Sequence, residues 1–256
     1  MELAVETHGE GPAVVGLHGL TATRRYVLMG SRLLERSGRR VILYDARGHG
    51  ESPAAPAGDY GYEALAGDLA TVMDAQRAPR ALLVGASMGA HTALRLALEE
   101  PQRAEGLVIV TPGYDPARGG SDFEYWDSLA AALRDGGVEG FVAAYGLERL
   151  PERWRATIET VLRQRIAAHR DQLALADALS AVPRSRPFED FGELAQVAVP
   201  TLVVGSRDEA DPGHPLALAR RYADAIPGAS FVVEEEGRSP IAWQGGQLSR
   251  LLLDFH

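Results

Sequence analysis

Residues 81–89 read Ala-Leu-Leu-Val-Gly-Ala-Ser-Met-Gly, and this stretch decides the fold. Its first four residues form a short apolar run of the kind that predicts a buried strand. The last five fit the pattern G-x-S-x-G and open a helical segment. A serine at such a turn is held with its hydroxyl raised above the sheet, and the glycines let the backbone pass closely. We therefore predict that Ser87 is a nucleophile.

Apolar runs of the same kind recur along the chain and alternate with helical patterns. They lie at residues 13–17, 40–44, 81–84, 107–110, 203–204 and 231–233. Near-continuous apolar strands separated by helices are typical of βαβ units in a parallel sheet that is covered on both faces. The sequence therefore predicts an α/β fold.

Residues 114–196 interrupt this alternation, because they contain helical patterns and no convincing strand. A helical block between two strands of one sheet predicts a cap over the carboxyl edge of the strands, where open α/β sheets place their sites. We therefore expect a core domain made of residues 1–113 and 197–256, with a helical cap at 114–196. The charged run 152–170 within the cap has the composition of a solvated helix face.

Composition narrows the function classes. The chain has 256 residues and a formal net charge of −9, which argues against a nucleic-acid partner. No run approaches the 18 apolar residues of a membrane span, and the acidic N-terminus is unlike a secretion signal, so we expect a cytoplasmic protein. The sequence contains no Cys and no Lys, which excludes thiolate nucleophiles, Cys-bound metals and Schiff-base chemistry. We expect no cofactor and no metal.

Two further segments agree with the serine turn. His18-Gly19 ends a predicted strand, and the loop that follows can offer the N–H of Leu20, which together with the N–H of Met88 would bind an oxyanion. Residues 45–52 form a glycine-punctuated turn after the next strand. In these features the whole chain resembles the α/β-hydrolase family, in its cap-bearing branch of esterases, lactonases, C–C hydrolases and peroxidase-like enzymes. The resemblance implies a mostly parallel central sheet with helices on both faces and an inserted helical cap.

The resemblance also implies an acid and a histidine that follow the serine in the chain. The acid falls in Gly205-Ser206-Arg207-Asp208, so Asp208 is expected to be the acid, with Asp115 as a second position. Glu209 and Asp211 are interpreted as solvated turn residues. The family's histidine belongs in a turn that here reads Gly237-Arg238-Ser239-Pro240. Arg238 stays protonated and accepts no hydrogen bond, so it cannot act as a base.

The general base therefore stays unidentified at this stage. Histidines that could replace it are His214, His91, His18 and His169. Arg238 could instead pair with Asp208 or bind an anionic substrate. Side chains expected to contact the substrate are His18, Tyr114, Trp126 and Trp243.

We expect a hydrolase for a small, partly apolar ester, lactone or related acyl compound. One alternative is a receptor-like, non-catalytic member of the family, and another is a non-hydrolytic enzyme that uses Arg238 to hold an anionic substrate. The expected partner is a small molecule, with no nucleic acid and no membrane, and a homodimer is left open.

Overall fold

The fold is taken from a computed structural model that describes residues 1–56, 58–117, 121–207, 209 and 211–255. Its strands form one sheet in the order β1-β3-β2-β4-β5-β6-β7. The strands are β1 (Val5–His8), β2 (Ala13–Leu17), β3 (Arg40–Tyr44), β4 (Ala81–Ala86), β5 (Ala104–Val110), β6 (Thr201–Val204) and β7 (Ser230–Val232). Strand β1 pairs with β3 in antiparallel fashion, and the other neighbours are parallel. The predicted α/β fold with a mostly parallel sheet is confirmed.

Helices connect the strands and cover both faces of the sheet. They are α1 (Leu33–Arg36), α2 (Tyr62–Ala75), α3 (Met88–Glu99), α4 (Ser121–Ala144), α5 (Glu152–Ala167), α6 (Gln172–Ala181), α7 (Leu216–Ala225) and α8 (Gly245–Phe255). Leu69 of α2, Leu94 of α3 and Tyr222 of α7 pack against one face. Leu34, Leu248 and Leu252 of α1 and α8 pack against the other. Apolar strands buried on both sides account for the continuous runs in the sequence.

The helices α4, α5 and α6 lie between β5 and β6 in the chain, and we call them the cap helices. Leu129, Phe141, Leu162 and Leu175 of these helices form an apolar cluster that also includes Met88 of the serine turn. Helix α4 bends at Gly137, whose φ of 57° and ψ of −143° are not helical. The cluster places the cap helices against the serine turn, and the predicted division of the chain into core and cap stays a prediction.

The sequence analysis did not predict strand β1. Strand β1 has two half-buried and two exposed residues at the edge of the sheet, so its sequence lacks the apolar run that marks the inner strands. In the described part of the chain, no helix has the length and apolar character needed to cross a membrane.

Candidate active site

Ser87 occupies a tight, strained turn between β4 and α3. Its φ is 49°, which a non-glycine residue rarely adopts. A Cβ on Gly85 would lie 2.2 Å from the carbonyl oxygen of Gly89, and a Cβ on Gly89 would lie 2.4 Å from that of Leu17. Both glycines of the G-x-S-x-G pattern are therefore required by close backbone approach. The backbone geometry is the one predicted for a serine held above the sheet.

The Ser87 hydroxyl faces His214. Nε2 of His214 lies 2.9 Å from Oγ of Ser87, and Nδ1 lies 2.9 Å from Oδ1 of Asp211. A carboxylate can only accept a hydrogen bond, so Nδ1 carries the ring hydrogen and Nε2 accepts from the serine. The side chains of His214 and Asp211 are 27% and 17% exposed, and Ser87 is half-buried. The three groups are therefore partly shielded from solvent but accessible to a small molecule. This is the arrangement of a serine, a base and an orienting acid.

Local sequence explains how Asp211 and His214 meet. They are the first and last residues of Asp-Pro-Gly-His, and the N–H of His214 donates to the carbonyl oxygen of Asp211 at 3.1 Å. Proline and glycine favour such a four-residue turn, which brings its first and last residues together. The turn lies between the end of β6 and the start of α7, at the carboxyl edge where Ser87 also lies. The sheet therefore brings a short loop motif to Ser87.

His18 holds the loop that was predicted to bind an oxyanion. The N–H of Ala46 donates to Nε2 of His18 at 3.0 Å, so Nδ1 carries the hydrogen and donates to the carbonyl oxygen of Gly19 at 2.8 Å. A planar trans peptide places the N–H of Leu20 opposite that carbonyl. Gly19 packs against the turn, since a Cβ there would lie 3.5 Å from Cβ of Ser87. His18 thus orients the loop.

The first N–H of a helix has no partner within the helix, which makes the N–H of Met88 the second candidate oxyanion donor. Met88 directly follows Ser87, and its side chain is buried among the cap helices. The predicted pair of donors, Leu20 and Met88, is consistent with this geometry and stays a prediction.

The other candidate histidines make hydrogen bonds to groups other than Ser87. His91 accepts from the N–H of Tyr114 at 3.3 Å and contacts the hydroxyl of Tyr62 at 3.1 Å. His169 accepts from the N–H of Gly50 at 3.0 Å. Burial lowers the pKa of His18, His91 and His169 to about 3. These three rings are neutral and fixed by the backbone or by neighbouring side chains.

The structure places Arg238 away from this arrangement. Its side chain is 75% exposed, and its Nε lies 3.9 Å from a carboxylate oxygen of Glu235. Position 238, where the family resemblance implies a histidine, is thus at the surface, and the histidine that contacts the Ser87 hydroxyl is His214. Asp208, the expected acid, lies outside the described residues. Asp115, the second acid position, pairs with Arg221 at 2.6 Å.

Three of the side chains predicted to contact the substrate pack against other residues of the protein. Tyr114 donates to the carbonyl oxygen of Phe188 at 3.2 Å and packs against the buried core on one face of the sheet. Trp126 packs on the apolar cluster of the cap helices, beside Tyr125. The ring of Trp243 lies 5.8 Å from that of Trp154, edge to face. The contacts of these aromatic rings to substrate stay predictions.

Sequence reasoning missed two charged residues near the site. Asp211 was interpreted as a solvated turn residue, although the Asp-Pro-Gly-His spacing is itself a turn signal. Arg165 belongs to the run 152–170, which the sequence analysis interprets as a solvated helix face. It nevertheless follows Ile158 and Leu162 at helical spacing and so shares their inward face. Periodicity within the run separates Arg165 from its exposed neighbours.

The described residues contain no cluster of three or more His, Asp or Glu side chains arranged to hold a metal ion. The triple Glu234-Glu235-Glu236 does not form one. Arg24, beside the oxyanion loop, is buried in ion pairs with Asp45, Glu6 and Glu51.

Comparisons with known proteins agree with this fold. A family model described as alpha/beta hydrolase fold matches residues 12–244. Over 263 residues the chain is 30% identical to a protein of Variovorax paradoxus (strain S110) that carries the name carbamate hydrolase RutD, covering 100% of this chain and 96% of that protein.

Two solved structures extend the comparison. The enol-lactonase from Burkholderia xenovorans LB400 superposes with a TM-score of 0.81 and 27% identity, covering 99% of this chain and 95% of that one. Est816, described as an N-acyl homoserine lactone degrading enzyme, has a TM-score of 0.79 and 26% identity, covering 99% and 96%.

Proposed function

Since the chain belongs to the α/β-hydrolase family, we propose that it is a serine hydrolase for a small, partly apolar ester, lactone or related acyl compound. The observation that carries the proposal is the 2.9 Å contact between Nε2 of His214 and Oγ of Ser87. With this base in reach, the proposal no longer depends on the turn around Arg238. Two structural neighbours described as lactone-cleaving enzymes support the substrate class.

In the proposed first step, Oγ of Ser87 attacks the acyl carbonyl carbon while Nε2 of His214 takes the hydroxyl proton. Asp211 accepts from Nδ1–H, holds the ring in the correct tautomer and stabilises the imidazolium that forms. The carbonyl oxygen gains a negative charge, which the N–H groups of Leu20 and Met88 would bind. His214 then gives its proton to the leaving oxygen, and an acyl-serine remains.

In the proposed second step, a water molecule replaces the leaving group. His214 takes a proton from that water, the resulting oxygen attacks the acyl carbon, and the bond to Oγ breaks with the proton returning to Ser87. The products are an acid and an alcohol, or a single hydroxy acid when the substrate is a lactone.

Labelling with a fluorophosphonate tests this proposal, since phosphonylation needs an activated hydroxyl. Intact-mass measurement should show one label on the wild type, none on Ser87→Ala, and labelling of His214→Gln slowed a hundredfold or more, the scale of general-base assistance. Turnover of 4-nitrophenyl acetate should be lost in parallel. Equal labelling of wild type and Ser87→Ala would remove Ser87 from the mechanism, and no labelling of the wild type would favour the receptor-like alternative.

A further inference from the structure

Arg165 lies on the inward face of cap helix α5. Leu162, three residues earlier, and Ile166, one residue later, are both buried in the apolar cluster of the cap helices. Arg163 on the same helix points outward and pairs with Glu139 and Glu159. Two arginines only two residues apart therefore have opposite surroundings, and Arg163 is a matched reference for Arg165.

The guanidinium of Arg165 has no acceptor among the described residues. Its Nε is buried without a hydrogen-bond partner, and its Cζ lies 5.1 Å from the centre of the Tyr26 ring. The Nε of Arg40 is also buried and unpaired, but its Nη atoms donate to the carbonyl oxygens of Gln76 and Arg77. Arg165 as a whole is half-buried, so part of its guanidinium can be reached by a ligand. An arginine stays charged, and a buried N–H without a hydrogen bond is costly, so an anion that accepts from this N–H would be stabilised here.

Two contacts place this part of helix α5 beside the loop that was predicted to bind an oxyanion. Tyr26, whose ring the Arg165 guanidinium faces, ends the short helical turn Arg24–Tyr26 that follows this loop. His169, four residues after Arg165, contacts the carbonyl oxygen of Thr21 within the loop at 3.3 Å. Burial lowers the pKa of Arg165, while the negative charge of Asp211 acts in the opposite direction. Its positive charge also contributes to the lowered pKa of His18. Asp211 contacts His214, and His18 holds the loop that packs against Ser87. The contacts with Tyr26 and with the loop at Gly19–Ala22 therefore put the guanidinium on the side of the cap helices that faces the serine turn, and its charge acts on Asp211 and His18.

Asp211 does not neutralise Arg165 directly. Its Oδ1 is engaged with Nδ1 of His214, and no described carboxylate lies within the 4.0 Å of an ion pair from the Arg165 guanidinium. A planar guanidinium binds a carboxylate through two parallel N–H bonds, and such charge-assisted pairs are stronger than neutral ones. The unpaired Nε–H and a neighbouring Nη–H supply that fork.

We propose that Arg165 binds a carboxylate of the substrate and makes the site selective for acyl or lactone compounds that carry an acidic group. The proposal rests on the hydrolase function proposed above. It transfers to Arg165 the anion-binding role that the sequence suggested for Arg238, whose side chain is 75% exposed.

The test compares two esters with the same leaving group. One is 4-nitrophenyl acetate, which is neutral, and the other is mono-4-nitrophenyl glutarate, which carries a carboxylate. Arg165→Met should lower the ratio of kcat/KM for the glutarate ester to that for the acetate ester tenfold or more, mainly through KM. Arg165→Lys should restore part of the ratio. The matched control Arg163→Met should leave the ratio unchanged.

Glutarate itself provides a readout that does not need hydrolysis. Titration calorimetry should show weaker binding of glutarate to Arg165→Met than to wild type, with the circular dichroism spectrum of the variant unchanged. If the wild type cleaves neither ester, the hydrolase proposal fails, and the calorimetric difference alone supports the anion site. An unchanged ester ratio, or equal glutarate binding by wild type and Arg165→Met, would overturn the role of Arg165.

Discussion

Asp211 and His214 stand three residues apart and face each other across one turn, with Oδ1 of Asp211 2.9 Å from Nδ1 of His214. In the proposed mechanism one loop supplies both the base and its orienting acid. The resemblance to the family implied instead that they come from two separate loops, at positions 208 and 238. A single turn that carries both groups can be tested residue by residue.

His214→Gln is expected to lower kcat/KM for 4-nitrophenyl acetate by a hundredfold to ten-thousandfold, because general-base assistance is lost. The residual rate reflects oxyanion binding and positioning. Stopped-flow or steady-state release of nitrophenolate measures the change. His8→Gln is the control, since the His8 side chain is 45% exposed on β1 and outside the site. Wild-type activity in His214→Gln would exclude His214 as the base.

The identity of the acid is decided by comparing Asp211→Asn with Asp208→Asn. An asparagine in place of the orienting acid favours the wrong imidazole tautomer, which lowers kcat by up to about 10⁴ in serine hydrolases. We expect that loss in Asp211→Asn and a much smaller one in Asp208→Asn. The kcat values of both variants on one ester give the answer. The reverse order would return the role of the acid to Asp208, as the family resemblance implied.

Buried neutral histidines make the stability of the fold depend on pH. Folding lowers the pKa of His18, His91 and His169 from 6.5 to about 3, so between these values the unfolded chain binds more protons than the folded one. The free energy of unfolding therefore falls as pH falls through this window, by up to about 1.4 kcal/mol per pH unit for each histidine.

Urea unfolding at pH 7, 6 and 5 measures this dependence. The fall in unfolding free energy should be smaller in His169→Gln than in wild type, because one proton-binding difference is removed while the glutamine oxygen can still accept from Gly50. His8→Gln should follow the wild type. A free energy of unfolding that is constant from pH 7 to pH 5 would contradict the buried, neutral state of these rings.

The backbone strain at Ser87 predicts a difference between two substitutions that both remove the hydroxyl. Its φ of 49° is unfavourable for any side chain with a Cβ, and such conformations cost on the order of 1–3 kcal/mol. Ser87→Gly should therefore exceed Ser87→Ala in unfolding free energy by about 1 kcal/mol, within the range of Gly and Ala exchanges at positive φ. Chemical denaturation of the two inactive variants compares them directly. An Ala variant as stable as the Gly variant would show that the turn relaxes.

The α/β fold and the strained turn at Ser87 could be predicted because the sequence signals for them are local. Apolar runs between helical patterns mark buried strands, and Gly85 and Gly89 mark the close contacts around Ser87. The contact of His214 with Ser87 could not be predicted from the order of the family's residues, because that order points to position 238, which is Arg238. His214 reaches Ser87 only because the loop after β6 folds back over the carboxyl edge of the sheet, a path set by tertiary packing.

The last prediction concerns Arg238 itself. If His214 supplies the imidazole at Ser87, a second imidazole at position 238 has no role in catalysis. Arg238→His and Arg238→Ala should then have equal kcat/KM on 4-nitrophenyl acetate. Both values should lie within about twofold of wild type, which corresponds to roughly 0.4 kcal/mol in transition-state stabilisation. The decisive protein is the double variant His214→Gln with Arg238→His. Because the Arg238 side chain is 75% exposed and lies near Glu235, the added imidazole should leave the activity of His214→Gln unchanged. A tenfold or larger recovery, absent from His214→Gln with Arg238→Ala, would mean that the turn at 237–240 reaches Ser87 and that the position implied by the family is still functional.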